Sequence, residues 1–142
     1  MGLVLDASVT LAWMIERVDA EEARSADEVL HTILAGGAQV PALWFAEVAN
    51  GVLVAERRGG IRHSTSASFL GLVNALPIME ERTRSSDVQS SVLALGRAHE
   101  LTAYDATYLE LALRTSGTLA TFDAELAKAA RAAGVRVFGD AV

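Results

Sequence analysis

The sequence predicts an α/β fold of three layers, α/β/α, with a short, mainly parallel central sheet of about five strands. Three observations predict it. Short apolar runs alternate with longer stretches of helical periodicity along the 142 residues. The apolar runs have no polar face, as expected of strands covered by helices on both sides. No internal repeat, linker or low-complexity segment interrupts the alternation, so one domain over residues 1–142 is expected.

Gly2–Leu5 is the first strand and ends at Asp6. Ala7-Ser8 opens a helix over Val9–Ile15, with Ser8 placed as its N-cap. Glu16–Ala20 is a polar break. Ala20–Leu34 is a second helix, with Ala23, Ala26, Val29, Leu30 and Ile33 on one side and Gly36-Gly37 as the stop. Ala38–Val40 is the second strand, and Pro41 suits the first position of a third helix running to about Arg57. Gly59-Gly60 stops that helix. Arg62–Ala75 is the fourth helix and Leu76–Met79 the third strand. A polar segment, Glu80–Ser86, leads to a helix over Asp87–Glu100.

The next helix, over Leu101–Thr115, has the clearest start. Thr102 can cap its first turn, and Asp105 stands three residues later at capping-box spacing. Tyr108, Leu109, Leu111, Ala112 and Leu113 dock it on a core, and Gly117 closes it. Thr118–Phe122 is the fourth strand and ends at Asp123. Ala124–Ala133 is a helix capped by Asp123 or Thr121. After Gly134, Val135–Phe138 is the fifth strand.

Composition narrows the function. Hydrophobic residues make up 51% and charged residues 21%, which is a globular balance. The absence of cysteine excludes a disulfide scaffold and any thiolate metal site, and fits a reducing cytoplasm. No signal-peptide pattern opens the chain, and no segment approaches the roughly 18 apolar residues of a membrane span. The net charge is −6. Phosphate binders are usually basic, but an acidic protein can still act on phosphodiesters if clustered carboxylates hold a divalent cation.

Four acids stand where such a cluster would form. In an open parallel sheet, ligands sit beyond the carboxyl ends of the strands. Asp6 and Asp123 each follow a strand. Asp105 is at a helix start, and Glu47 is mid-helix among Leu43, Trp44, Asn50 and Gly51, with no charged neighbour one turn away. If the first and fourth strands are neighbours, all four converge on one crevice. Each has a plainer reading: Asp6, Asp105 and Asp123 as helix caps, Glu47 as a partly buried acid bonded to an amide. Together they would repel and titrate as a coupled set. Carboxylates without His or Cys favour Mg²⁺ or Mn²⁺ over zinc. Such an ion polarises a phosphoryl oxygen and acidifies a bound water, so phosphodiester hydrolysis is the natural chemistry.

The segments VLDASVTLAW, PALWFAEVANGV, LTAYDATYLELA and LATFDAEL, in that order, resemble those of the PIN-domain ribonucleases, most closely the VapC-type toxins of bacterial toxin–antitoxin pairs. The likeness spans about Leu3 to Phe138. It implies a single PIN domain. It implies that Asp6, Glu47, Asp105 and Asp123 are the catalytic acids that bind Mg²⁺ or Mn²⁺. Ser8 and Thr121 match the hydroxyl positions beside the first and last acids, and Asn50 the polar residue one turn beyond the glutamate. It further implies endonucleolytic cleavage of RNA, typically structured transfer or ribosomal RNA, leaving a 5′-phosphate. Its partners would be a cognate antitoxin and a second copy of the chain, in the cytoplasm.

Other residues carry weaker expectations. Trp13 and Trp44-Phe45 are read as core before partner contacts. Of Tyr104 and Tyr108, one turn apart, one belongs to the core and one could stack on a base. Arg57-Arg58 and Arg82-Arg84 are solvated ends or phosphate contacts. His31, His63 and His99 fall in no motif. Two other functions compete. A phospho-acceptor receiver would need an acidic pair at the first strand, where Val4 and Leu5 precede Asp6. A PIN scaffold that binds without cutting would have lost its acids, and all four are present.

Overall fold

The computed structural model describes residues 2–15 and 19–141. The elements run β1 (Leu3–Leu5), α1 (Ala7–Ala12), α2 (Ala20–Gly36), β2 (Ala38–Val40), α3 (Leu43–Arg57), α4 (His63–Asn74), β3 (Ile78–Glu80), α5 (Ser85–His99), α6 (Ala103–Thr115), β4 (Thr118–Ala120) and α7 (Ala124–Ala132). The four strands form one parallel sheet in the order β3-β2-β1-β4. The chain therefore builds outward from β1 to β2 and β3, then returns to add β4 on the other side of β1. That reversal opens a crevice at the carboxyl ends of β1 and β4.

The sheet is parallel because every pair of strands is separated by at least one helix. β1 is buried at all three residues, as is usual for a strand with cover on two faces. Around it the core gathers Val4, Leu5, Val9, Ile33, Val40 and Leu119 from the strands and flanking helices, with Trp44, Tyr108, Leu109, Leu111 and Leu126. Burying a side chain of this size contributes about 1.5–3 kcal/mol, so these residues stabilise the sheet and the helix faces packed on it. Gly51 lets α1 approach α3: a Cβ there would run into the Leu11 side chain.

Several expectations shift. The fifth strand is absent. Val135–Phe138 makes a single parallel bridge, Leu119 to Val137, through Leu119 N–H to Arg136 O (2.9 Å) and Phe138 N–H to Leu119 O (2.8 Å). Gly134 and Gly139, at φ 83° and 94°, turn the chain on either side and leave one residue in register. Ser8 is not an N-cap. It lies inside α1, whose N-cap position is Asp6, and Asp6 makes no capping bond. The first helix is also shorter than expected and ends at Ala12, with Trp13 and Met14 in a turn. Pro41 precedes α3, which starts at Leu43 after Ala42. Of the polar break, Glu16–Val18 lie outside the described residues, and Asp19 caps α2 by accepting from the Glu21 and Glu22 amides. Ser116, at φ 54°, ends α6 one residue before Gly117.

Candidate functional site

The register of β1 and β4 fixes the first part of the site. Leu5 pairs with Ala120, so Asp6 and Thr121 leave the sheet side by side. The Asp6 amide donates to Ala120 O (2.9 Å), continuing the pairing by one bond. Thr121 Oγ1 and Ser8 Oγ then donate to the same oxygen, Asp6 Oδ2, at 2.7 and 2.6 Å. Each hydroxyl also accepts: Ser8 Oγ from the Phe122 amide and Thr121 Oγ1 from the Asp123 amide, both at 3.0 Å. These four bonds tie the β4–α7 turn to the start of α1. They explain why Asp6 caps nothing, since its carboxylate is already held by hydroxyls.

The other three acids reach the same place from three helices. Asp123 is the N-cap of α7 and accepts from the Leu126 amide through Oδ1 (2.9 Å). Asp105 sits in the first turn of α6, its amide donating to the cap hydroxyl of Thr102 (3.2 Å). Glu47, in the middle of α3, accepts from the Tyr108 hydroxyl through Oε1 (2.5 Å). Asp123 and Glu47 are thus held through Oδ1 and Oε1, and Asp6 through the two hydroxyls on Oδ2.

The electrostatics link all four. Asp105 is pushed up from 3.8 to about 6, first by burial and then by Asp123, Asp6 and Glu47. Asp6, only 6% exposed, is raised by burial and by Asp123, against the pull of Ser8 and Thr121. Burial also raises Glu47, with Asp6 adding to it and the Tyr108 hydroxyl opposing. Every charged neighbour that shifts these acids is itself an acid. Such crowding disfavours the charged forms, and a cation would relieve it.

The donor set is all carboxylate with nearby hydroxyls, which suits a hard ion. Among the described residues, no three Asp, Glu or His side chains stand as a ready-made metal cage. Mg²⁺ keeps several waters and takes one or two protein carboxylates, so the four acids fit a hydrated ion of this kind.

The remaining residues divide. Asn50 is exposed one turn beyond Glu47 and lines a hollow with Leu43, Ala46, Glu47 and Tyr104. Tyr104 is 62% exposed, whereas Tyr108 is fully buried. Trp44 is core, donating Nε1–H to Thr10 Oγ1 (3.3 Å), while Phe45 edges against it and stays part-exposed. Trp13 donates to Ala26 O (2.9 Å) and packs on the core. Arg57, Arg58, Arg82 and Arg84 are exposed.

Two features went unseen in the sequence. One is the Tyr108 bond to Glu47, which joins residues 61 positions apart. The other is Arg114, which bridges Glu110 and Glu81 at 2.9 Å each and lines a second hollow, of about 290 Å³, that also borders Tyr104. The i,i+4 spacing of Glu110 and Arg114 was the one available signal.

Known proteins match this chain in both sequence and fold. The PIN-domain family model covers residues 3–132. Ribonuclease VapC3 of Pyrobaculum aerophilum is 33% identical over 135 residues, 90% of this chain and 94% of that protein. Among solved structures, PAE2754 from Pyrobaculum aerophilum superposes with a TM-score of 0.66 at 20% identity, covering 91% of this chain and 86% of its own. FitAcB from Neisseria gonorrhoeae gives 0.65 at 16%, covering 96% of each chain. These two likenesses speak for the fold. The family match over nearly the whole chain and the kinship with a ribonuclease at this identity lead to one conclusion: the chain belongs to the PIN-domain family, on its VapC-type branch.

Proposed function

We propose that the protein is a metal-dependent endoribonuclease, the toxin of a toxin–antitoxin pair, and that Asp6, Glu47, Asp105 and Asp123 are its catalytic acids. The observation that carries the reading is the electrostatic convergence of those acids at the carboxyl ends of β1 and β4, where Asp105 is raised by all three others. Kinship with a VapC ribonuclease supplies the substrate class.

When bound, Mg²⁺ or Mn²⁺ supplies Lewis acidity to a phosphoryl oxygen and makes water acidic enough to attack. The chain's own residues do the positioning. Ser8 and Thr121 hold Asp6 Oδ2, so the carboxylate keeps one orientation. Asp123 is held by its cap bond and Asp105 by the first turn of α6. The attacking water forms a bond to phosphorus, the bond from phosphorus to the 3′ oxygen breaks, and that oxygen takes a proton. The products are a 5′-phosphate and a 3′-hydroxyl. Asn50 and Tyr104 flank Glu47, one offering an amide and the other a ring face to the RNA.

A second copy and an antitoxin are the expected partners. Phe45 and Leu53 on α3 and Leu72 on α4 are exposed apolar side chains that such partners would cover. A cytoplasmic location goes with an RNA substrate. No helix among the described residues is long and apolar enough to cross a membrane.

The test is cleavage of total bacterial RNA by purified, antitoxin-free protein, with Mg²⁺ or Mn²⁺ and with chelator, beside Asp6→Asn. Discrete fragments that need metal and vanish in the variant are expected. Tight RNA binding with no cleavage in either metal would make the protein a PIN scaffold instead.

A further inference from the structure

We propose that Tyr108 is a positioning residue: its phenol fixes the Glu47 carboxylate in the orientation that a divalent cation needs. This rests on the reading of the four acids as a cation site.

The geometry is specific. Tyr108 is completely buried and lies three residues after Asp105 on α6. Its hydroxyl donates to Glu47 Oε1 across to α3 at 2.5 Å. One helix therefore presents Asp105 and also anchors the glutamate that comes from another helix. Glu47 has no ion-pair partner on its own helix: Leu43, Trp44, Asn50 and Gly51 stand one turn away. Without the phenol, a three-bond side chain at the edge of the crevice would sample several rotamers. With it, Oε1 is fixed and Oε2 is left to the cation.

A merely structural tyrosine would look the same in the fold, since a buried hydroxyl needs an acceptor. The two roles differ in what the acceptor does. If Glu47 only satisfies the phenol, loss of the hydroxyl alters stability and leaves cation affinity alone. If the phenol orients Glu47, its loss weakens the cation. Partners of metal-binding carboxylates that act this way cost about 10–100-fold in affinity when removed.

The experiment measures Mn²⁺ binding to the RNA-free full chain, by calorimetry, for wild type, Tyr108→Phe, Glu47→Gln and the double variant. Circular dichroism and the melting temperature are recorded without metal. Tyr108→Phe keeps the buried ring and is expected to fold, to bind Mn²⁺ about 10-fold more weakly, and to recover most of its RNA cleavage rate at saturating Mn²⁺. In the Glu47→Gln background the same substitution should change Mn²⁺ affinity less than twofold, because the two residues act as one unit. Unchanged affinity in Tyr108→Phe overturns the proposal, as does an equal loss in the Glu47→Gln background. Failure of Tyr108→Phe to fold overturns it too, since an orienting hydroxyl is separable from ring packing. If wild type itself binds no Mn²⁺, the cation site falls, and this inference with it.

Discussion

Removing Asp105 should stabilise the metal-free protein while ending its activity. The carboxyl titrates near 6 instead of 3.8 because burial and three neighbouring acids disfavour its charge. The sign follows from linkage. Below about pH 4 the group is protonated in the folded and unfolded chain alike and has no net effect. As pH rises through 6, the folded state loses stability, because the unfolded chain gave up that proton earlier. Undiluted, the difference would reach about 3 kcal/mol. Asp105 is partly exposed, so solvent screening reduces it. The positive end of α6 returns about 0.5 kcal/mol to the carboxylate. About 1 kcal/mol of destabilisation remains above pH 7. Asp105→Asn removes it. In urea, with chelator present, the unfolding midpoint should rise by about 0.5 M at pH 8, given a slope of about 2 kcal/mol per molar, and not at pH 4. Added Mn²⁺ should reverse the order, stabilising wild type and not the variant. An Asp105→Asn midpoint at or below wild type at pH 8 would refute the claim that the acids crowd one another.

Three further outcomes are expected. Thr121→Val deprives Asp6 of one of its two hydroxyls and the Asp123 amide of its acceptor; Mn²⁺ affinity by calorimetry should fall about 10-fold or more, while Thr121→Ser stays near wild type. Tyr104→Ala should raise KM for RNA about 10-fold with little change in kcat, the size of one lost base stack, and steady-state kinetics beside Tyr104→Phe will show whether the ring face is what matters. Arg114→Leu leaves Glu110, at 7% exposure, without its partner; urea unfolding should show a loss of about 2 kcal/mol, below the full figure for a buried pair because the arginine is partly exposed, with Mn²⁺ affinity unchanged.

What the sequence carried was local. The Thr102 cap and Asp105 in the first turn follow from spacing on one helix, and the structure has that bond. Asp123 after β4 is a cap as read, and it also faces the other acids. The parallel sheet followed from the alternation of apolar runs and helices, whereas its order, β3-β2-β1-β4, did not. What spacing could not carry was contact across distance in the chain. Asp6 reads as a cap, yet its carboxylate is held by Thr121, 115 residues away, and that partner decides its role. Ser8 reads as a cap for the same local reason and fails for the same distant one. Tyr108 and Glu47 meet only because α6 and α3 lie over the same end of the sheet. The fifth strand had the right residues but too little room between two glycines in the left-handed region.

Anomalous diffraction from a crystal of the protein grown with Mn²⁺ would locate the ion among the acids. A peak is expected at the carboxyl ends of β1 and β4, bonded to Asp6 and to at least one of Glu47, Asp105 and Asp123, and lost in Asp6→Asn. A peak elsewhere on the surface, or none at millimolar Mn²⁺ and pH 8, would contradict that placement.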